Sequence, residues 1–306
     1  MYLDFYSLKE RPFKLTPDLS FFYKSRSQEK ALAYLLYGIE QGEGFVVITG
    51  GVGLGKTTLI QRLVEEARSR KVEVDRIAAA NINAENILEL VCASLDIDFE
   101  GKGKVALFKA LEGYLLKRNK RNIRVLLVID EAQTLEPAAL EELRILSNIE
   151  VNGRAALQIF LVGQIELRDT LMDPHFEHLR QRIIASYHIE PLTRAEVEKY
   201  VQNRLTVAGW DNDPEIESIV YDFISEWTGG VPRKINLLCD RLLLLGYIEE
   251  SHMLDAHFIE QAIRDMEKEL GHQKKTSSKK PKNVSVAAKL DKKNRQNRRK
   301  RKRRTG

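Results

Sequence analysis

The stretch that decides the fold reads Phe45-Val46-Val47-Ile48-Thr49-Gly50-Gly51-Val52-Gly53-Leu54-Gly55-Lys56-Thr57-Thr58. Its first residues are a short apolar, β-branched run, which predicts a buried strand, and its end opens a helical pattern. The glycines between them allow backbone N–H groups to close around phosphate oxygens. The stretch therefore predicts a strand, a phosphate loop and the start of a helix, in that order.

The loop fits the Walker A pattern, in which a glycine is followed after four residues by Gly-Lys-Thr. We expect Lys56 to reach the β- and γ-phosphates of ATP and Thr57 to ligate Mg²⁺. The residues expected to line the nucleotide are Gly50, Gly51, Val52, Gly53, Leu54, Gly55, Lys56, Thr57 and Thr58. The alternative is a glycine-rich turn without a ligand, which the flanking strand and helix patterns disfavour.

A second apolar run, from Arg124 to Glu131, ends in two carboxylates. Buried parallel strands deliver such residues to the carboxyl edge of a sheet, where open α/β sheets bind ligands. Asp130 is predicted to hold the Mg²⁺ shell, and Glu131 to orient and deprotonate the attacking water. A solvated acidic loop is the alternative.

A third run, from Leu157, ends at Gln164, which we expect beside these carboxylates and near the γ-phosphate or the attacking water.

Other elements follow from local patterns. Strands are predicted at 72–80 and 185–189, and helices at 56–70, at 84–95 with Asn83 as its cap, at 104–118, from Pro137, and at 175–183. After Pro191 the signals are helical: the capping box Thr193 to Glu196, a helix capped by Asp213-Pro214 and ending at Gly229-Gly230, one opened by Pro232 and one capped by Asp255.

Strand–helix alternation through Ile189 predicts an α/β fold with a doubly wound, mainly parallel sheet, followed by a small helical domain. We predict an aromatic segment near the nucleotide at 1–40, a nucleotide-binding domain at 41–190, a helical lid at 191–270 and a disordered basic tail at 271–306.

Composition and charge restrict the location and the partners. Of 306 residues 43% are hydrophobic, and no apolar run approaches the roughly 20 residues that span a bilayer. The chain start has no signal-peptide pattern, and Cys92 and Cys239 belong to no CxxC or Cys/His cluster. We therefore predict a cytoplasmic protein with reduced thiols and without a transmembrane segment.

The C-terminal stretch is strongly basic. Residues 274–306 hold 16 Lys and Arg against one Asp, about +15, whereas the whole chain carries +5, so about −10 remains for the rest. We expect this tail to bind DNA or RNA phosphates without sequence preference, or another anionic surface such as a membrane. A solubilising end without a dedicated partner is the alternative.

Together these motifs resemble the AAA+ P-loop ATPases and, more closely, the general secretion pathway protein A family, over about residues 1–268. Within that family, the short members associated with exosortase loci are the most similar. The residues that carry the closer resemblance are Phe5-Tyr6-Ser7-Leu8, Arg11 to Asp18, Leu36-Tyr37-Gly38-Ile39, Val128 to Gln133, Leu161 to Gln164 and Pro232 to Asp240.

The resemblance implies roles for further residues. Gln164 matches the family's sensor 1 position, Arg233 its sensor 2 arginine and Arg182 its arginine finger, with Arg180 as the reserve candidate. Leu54 replaces a threonine common in the family's loop, but there the backbone makes the contact. Larger members continue into a membrane helix and a cell-wall-binding domain, where this chain has its basic tail, so direct coupling to the cell envelope is in doubt.

Three functions are consistent with the sequence. The first is an ATP-hydrolysing protein that forms homo-oligomers when ATP is bound and remodels or regulates an unknown protein partner, in export or exopolysaccharide assembly. The second is a nucleic-acid-handling ATPase similar to transposition helper ATPases, anchored by the tail. The third is a nucleotide-dependent binding module with negligible turnover.

Overall fold

A computed structural model describes residues 1–79 and 85–269. The strands in this part are β1 (Phe45–Gly50), β2 (Val72–Ala78), β3 (Arg124–Asp130), β4 (Glu150–Val151), β5 (Arg154–Ala155), β6 (Leu157–Gly163), β7 (Ile183–Ile189), β8 (Glu215–Ile216) and β9 (Met253–Leu254). Five of them form the main sheet, and every residue of β1 and β6 is buried. Both faces of such a strand pack against other elements, so its residues are mainly apolar and do not alternate between apolar and polar.

The main sheet is wholly parallel, in the order β2-β3-β6-β1-β7. Thr49 of β1 pairs with Gly163 of β6, and Ala78 of β2 pairs with Asp130 of β3, so the carboxyl ends of these strands coincide in pairs. The predicted doubly wound parallel sheet is confirmed. Its carboxyl edge carries the phosphate loop, the two carboxylates and Gln164.

The α-helices of the described part are α1 (Tyr2–Phe5), α2 (Arg26–Gln41), α3 (Lys56–Arg68), α4 (Ile87–Ser94), α5 (Lys104–Lys120), α6 (Pro137–Leu146), α7 (Ile165–Met172), α8 (Glu177–Arg180), α9 (Arg194–Val207), α10 (Ser218–Thr228), α11 (Pro232–Ile248) and α12 (Ala256–Glu269). The predicted capping box at Thr193, the helix start at Pro232 and the cap at Asp255 are present.

Some helix predictions are wrong. Asp213-Pro214 does not cap a helix, because Glu215 and Ile216 form β8, which pairs with β9, and α10 begins only after Glu217. The predicted helix at 175–183 is two short pieces, Pro174–Phe176 and α8, since Ile183 already enters β7. Helix α7 was not predicted. The expected cap Asn83 lies outside the described residues, and α4 begins at Ile87.

Three apolar cores build the body. Two lie on opposite faces of the main sheet, and the third joins α9, α10, α11 and α12 to the start of the chain. Tyr2, Tyr6, Phe13 and Phe21 are buried in this third core. The start of the chain therefore packs on the C-terminal helices, whereas α2 packs on the sheet. The predicted domain boundaries stay predictions, and the tail at 271–306 lies outside the described residues.

Within residues 1–79 and 85–269, no helix combines the length and the apolar character needed to cross a membrane.

Candidate nucleotide-binding site

The loop between β1 and α3 has the backbone that a phosphate cradle requires. Gly53 and Gly55 have φ angles of +81° and +85°, a region that residues with a side chain rarely adopt. A Cβ atom at Gly53 would lie 2.7 Å from Cβ of Arg233, so only glycine allows this approach. Gly55 is the N-cap of α3, whose free N–H groups and positive dipole end therefore face the loop.

Lys56 is a buried cation that no described carboxylate neutralises. Its side chain is 7% exposed, and its Nζ donates to the carbonyl oxygens of Gly50 at 2.8 Å and Gly51 at 3.1 Å. Burial lowers the pKa of Lys56, although the charges of Glu131 and nearby acids act in the opposite direction. It forms no ion pair with a described carboxylate. A buried cation satisfied only by carbonyl groups fits a site that receives phosphate.

The carboxylates after β3 differ in environment. Asp130 is 2% exposed, forms an ion pair with Arg76 of β2, and accepts the backbone N–H of Glu131 at 2.9 Å. Glu131 is exposed at the cleft and has a φ of +55°, a strained conformation for this residue type. Thr134 holds the turn, since its backbone N–H and its hydroxyl both donate to the Glu131 carbonyl at 2.9 Å.

Gln164 and Arg233 complete the group that the fold brings together. Gln164 is partly buried at the tip of β6 and lines the same cleft as Lys56 and Glu131. Arg233, in the first turn of α11, donates its backbone N–H to the Gly53 carbonyl at 3.2 Å. The C-terminal helices therefore contact the phosphate loop directly, through the residue expected to act as sensor 2.

Arg182 lies away from this group. It precedes β7, and its carbonyl accepts the N–H of Phe45 at 2.9 Å, at the amino edge of the sheet. Strand β1 separates that edge from Gly50 by about 17 Å, which is more than an arginine side chain spans. Arg182 is exposed, whereas Arg180 donates to the carbonyl of Leu171 at 2.6 Å and to that of Asp173. Arg180 thus has a structural role at the end of α7, and Arg182 does not reach its own phosphate loop.

The cleft has a volume of about 270 Å³. The individual residues of the N-terminal segment that line it were not predicted. Residues 12–18, here called the strap, cross one side, where Lys14 to Asp18 line the cleft. Arg204, 7% exposed, donates to the carbonyls of Pro12 at 2.5 Å and Lys14 at 3.4 Å. The strap is thereby fixed to helix α9. That the N-terminal segment lies near the nucleotide stays a prediction.

Three further residues at the site escaped the sequence analysis. Gln28 of α2 is buried and donates from Nε2 to the Leu54 carbonyl at 2.7 Å, which supports the phosphate loop from behind. Arg76 pairs with Asp130, and Gln133 contacts both Glu131 and the backbone of Gln164. The similarity of Val128 to Gln133 to a known family was a signal for Gln133. Gln28 and Arg76 stand in no motif, so only their position reveals them.

The oxygen donors present suit Mg²⁺. Of the predicted ligands, Thr57 lies in the first turn of α3, directly after the phosphate loop, and Asp130 ends β3, which β6 separates from β1. In the part of the chain that the structure describes, no three His, Cys, Asp or Glu side chains cluster to hold a metal ion. Mg²⁺ is commonly held by one or two protein oxygens together with substrate phosphates and water, which this pair can provide.

The fold and the site define a P-loop protein of the AAA+ class, and the comparisons agree. Residues 39–171 match the family model for the AAA domain. General secretion pathway protein A of Aeromonas hydrophila is 36% identical over 255 residues, which are 83% of this chain and 46% of that protein. The chain is a homologue of general secretion pathway protein A and spans about half of its length.

Solved structures show the same fold at low sequence identity. The Aeropyrum pernix ORC2 protein, solved in ADPNP–ADP complexes, is 18% identical with a TM-score of 0.64 and coverage of 84% of this chain and 71% of that one. Cdc6p of Pyrobaculum aerophilum is 16% identical with a TM-score of 0.64, and the match covers 83% of this chain and 70% of that one. The RuvB Holliday junction branch migration motor of Thermotoga maritima is 17% identical with a TM-score of 0.57, and the match covers 83% of this chain and 73% of that one.

Proposed function

We propose that this protein binds ATP with Mg²⁺ and hydrolyses it. The observation that carries the proposal is that Lys56, Glu131 and Gln164 line one cleft at the carboxyl edge of the sheet, although they come from three separate segments. Binding is supported by the buried Lys56, which among the described residues bonds to carbonyl groups and to no carboxylate, and by the positive φ angles of the glycine loop. The AAA+ fold, whose members bind and turn over nucleotides, supports hydrolysis.

In this proposal each residue has one task. The N–H groups of the loop Gly50 to Thr58 and the ammonium of Lys56 bind the phosphates, and the Thr57 hydroxyl and the Asp130 carboxylate hold Mg²⁺. When bound, Mg²⁺ neutralises charge on the β- and γ-phosphates. The Glu131 carboxylate takes a proton from the attacking water, and Gln164 holds that water or a γ-oxygen. Arg233, in the first turn of α11 and next to Gly53, would contact the phosphates.

Asp130 must exchange one partner in this scheme. In the structure its carboxylate is held by Arg76 and by the backbone N–H of Glu131. Both contacts orient the carboxylate, so metal binding would replace the contact with Arg76 at a carboxylate that is already in place.

We further propose that the protein forms homo-oligomers when ATP is bound. The support is the position of Arg182, which is exposed at the amino edge of the sheet and too far from its own phosphate loop to act there. An arginine supplied by a neighbouring subunit stabilises the charge that develops during phosphoryl transfer. The larger process is the remodelling or regulation of a protein partner, in export or exopolysaccharide assembly, as the secretion-pathway name of the relative suggests.

A cytoplasmic location is part of the proposal. ATP, the proposed substrate, is a cytoplasmic metabolite, and Cys92 and Cys239 are buried free thiols, as suits a reducing compartment.

Paired variants test the central claim. Lys56→Ala should lose binding of a fluorescent ATP analogue, whereas Glu131→Gln should retain binding and lose turnover by about 10²–10⁴-fold, the usual contribution of a positioned base. Lys30→Ala and Glu112→Gln, at exposed positions on α2 and α5, are the matched controls and should change neither property. Unchanged turnover in Glu131→Gln would remove this residue from the mechanism, and ATP binding without turnover in the wild type would favour a nucleotide-dependent binding module.

The second candidate, a nucleic-acid-handling ATPase, is favoured by the 16 basic residues of 274–306. If about six of them meet phosphates, the logarithm of the affinity for duplex DNA should fall against the logarithm of salt concentration with a slope near −5. Truncation before Lys274 should abolish this binding and leave basal ATPase activity intact. Equal DNA binding by the truncated and full chains would place the basic surface elsewhere, and ATPase activity that DNA does not stimulate would favour the protein-remodelling function.

A further inference from the structure

The side-chain amide of Gln133 joins the proposed base to the tip of β6. Its Nε2 donates to Oε2 of Glu131 at 2.7 Å, and its Oε1 accepts the backbone N–H of Gln164 at 2.9 Å. One planar group therefore contacts both residues that are proposed to handle the attacking water. Gln133 was not among the predicted site residues, and the proposed mechanism has so far given it no task.

Only one orientation of this amide satisfies both neighbours. A backbone N–H can only donate, and an ionised carboxylate can only accept. Rotating the amide by 180° would place its NH₂ against the N–H of Gln164 and its oxygen against the carboxylate of Glu131, so both contacts would become repulsive. Gln133 therefore fixes the separation of Glu131 and Gln164 with a definite polarity.

The surrounding backbone is built for this bridge. Glu131, with its φ of +55°, begins the short turn Ala132–Thr134, which directs Gln133 toward β6. A Cβ atom on Gly163 would lie 2.8 Å from Oε1 of Gln133 and 3.2 Å from its backbone nitrogen. The glycine before Gln164 thus leaves the space that the amide occupies. The same Cβ atom would also lie 3.1 Å from Cδ2 of Leu167, so both the amide and α7 require glycine at this position.

We propose that Gln133 is a positioning residue, which holds the Glu131 carboxylate at a fixed place relative to Gln164 so that both meet the same water. The inference rests on the proposed ATPase function. It makes no use of Gln133 in nucleotide binding, because its amide is already committed to protein groups. Loss of the bridge should consequently lower kcat and spare KM.

The first test is the kinetics of Gln133→Ala. We expect kcat for ATP to fall about 10–100-fold, the scale of losses when a catalytic group is misplaced by about 1 Å, with KM and the affinity for an ATP analogue changed less than about twofold. Gly163→Ala, which pushes the amide away by a different route, should lower kcat in the same way. Gln41→Ala, at an exposed position on α2, is the control. A kcat for Gln133→Ala within about twofold of the wild type, or above it, would overturn the proposal.

The second test measures how the activity of a variant depends on pH. If Gln133 had only a structural role, the ratio of variant to wild-type kcat would not change with pH. In Gln133→Glu the new carboxyl can donate to Glu131 only when protonated, and the neighbouring charge of Glu131 raises its pKa. The ratio of variant to wild-type kcat should therefore rise at least about threefold between pH 8 and pH 6. Using the ratio removes those pH effects that are common to both proteins. A flat ratio would count against the bridge.

The third test reads the bridge without turnover. The N–H of Gln164 has Gln133 as its hydrogen-bond acceptor, so its hydrogen exchange should be about tenfold faster in Gln133→Ala than in the wild type and in Gln41→Ala. Unchanged exchange at Gln164 with a fully active wild type would refute this inference alone. A wild type that does not hydrolyse ATP would refute the proposed function, while the exchange rates would still decide whether the bridge exists.

Discussion

Replacing Arg204 by methionine tests what fixes the strap to the C-terminal helices. The guanidinium is 7% exposed and donates to the carbonyls of Pro12 and Lys14 and, at 3.1 Å, to the hydroxyl of Tyr200. It also lies 4.9 Å from the centre of the Phe21 ring. In the described residues no carboxylate pairs with it, so its charge is satisfied by neutral oxygens and aromatic faces alone.

The expected cost follows from these contacts. Hydrogen bonds from a charged donor contribute about 1.5–3 kcal/mol each, and three are lost. Methionine retains much of the apolar packing, and the wild type bears the desolvation cost of a buried guanidinium, so part of the loss is offset. We expect Arg204→Met to lower the free energy of unfolding by about 2–4 kcal/mol, since two strap carbonyls and the Tyr200 hydroxyl lose a donor.

The assay is urea unfolding without nucleotide, with Arg194→Met as the matched control. Arg194 lies on the same helix, 10 positions earlier, and pairs with Glu198 at 3.1 Å and Asp222 at 2.5 Å, but its side chain is 36% exposed. Exposed ion pairs contribute about 0–1 kcal/mol, so the control should cost less than about 1 kcal/mol. If Arg204→Met costs no more than Arg194→Met, the strap is not held by this buried cation. An increased KM for ATP should accompany the loss, because the strap lines the cleft.

Two further predictions concern the rest of the chain. Mixing Arg182→Ala subunits with Lys56→Ala subunits should restore part of the ATPase activity that each lacks alone, and absence of rescue together with a monomeric ATP-bound form by light scattering would exclude action between subunits. Burial, with the charge of Glu73 as a smaller cause, raises the pKa of Asp75 to about 6. The folded state then holds this proton more tightly than the unfolded state, so the stability contributed by Asp75 falls as pH rises from about 4 to 6. Asp75→Asn should raise the free energy of unfolding by about 1–2 kcal/mol at pH 8, less than the full shift gives because the residue is only partly buried, and should have no effect at pH 4. An equal effect at both pH values in urea unfolding would contradict this assignment.

Most of the sheet could be predicted from local patterns. The apolar runs before the glycine loop and before Glu131 are strands β1 and β3, because buried parallel strands are continuous apolar runs that end in glycine or polar residues, and the predicted strand at 185–189 lies within β7. The helix start at Pro232 and the capping box at Thr193 also agree, since caps depend on residues within one turn. The start of α10 was wrong because the pairing of β8 with β9 joins residues far apart in sequence.

The site residues that lie at or after the end of a strand could be predicted from the sequence. Lys56, Asp130, Glu131 and Gln164 each follow an apolar run, and parallel strands bring such ends to one edge whatever the details of packing. The contacts among these residues were not predictable. Arg76 meets Asp130 across 54 positions because the register of β2 with β3 pairs Arg76 with Val128, two residues before Asp130 on the same face, and a shift of one residue would turn Arg76 to the other face.

The sequence by itself determined the order of strand, phosphate loop and helix, the carboxylates that follow β3 and the chemistry that these residues can perform. These signals are local, since a few neighbouring residues set whether a segment forms a strand, a loop or a helix. Tertiary structure alone decided that Arg180 binds carbonyls while Arg182 lies at the opposite edge of the sheet from its own loop, and that Gln133 joins Glu131 to Gln164. It also decided that Arg204 holds Pro12, 192 positions away. Such contacts depend on strand register and on how separate segments pack, which no short stretch of sequence specifies.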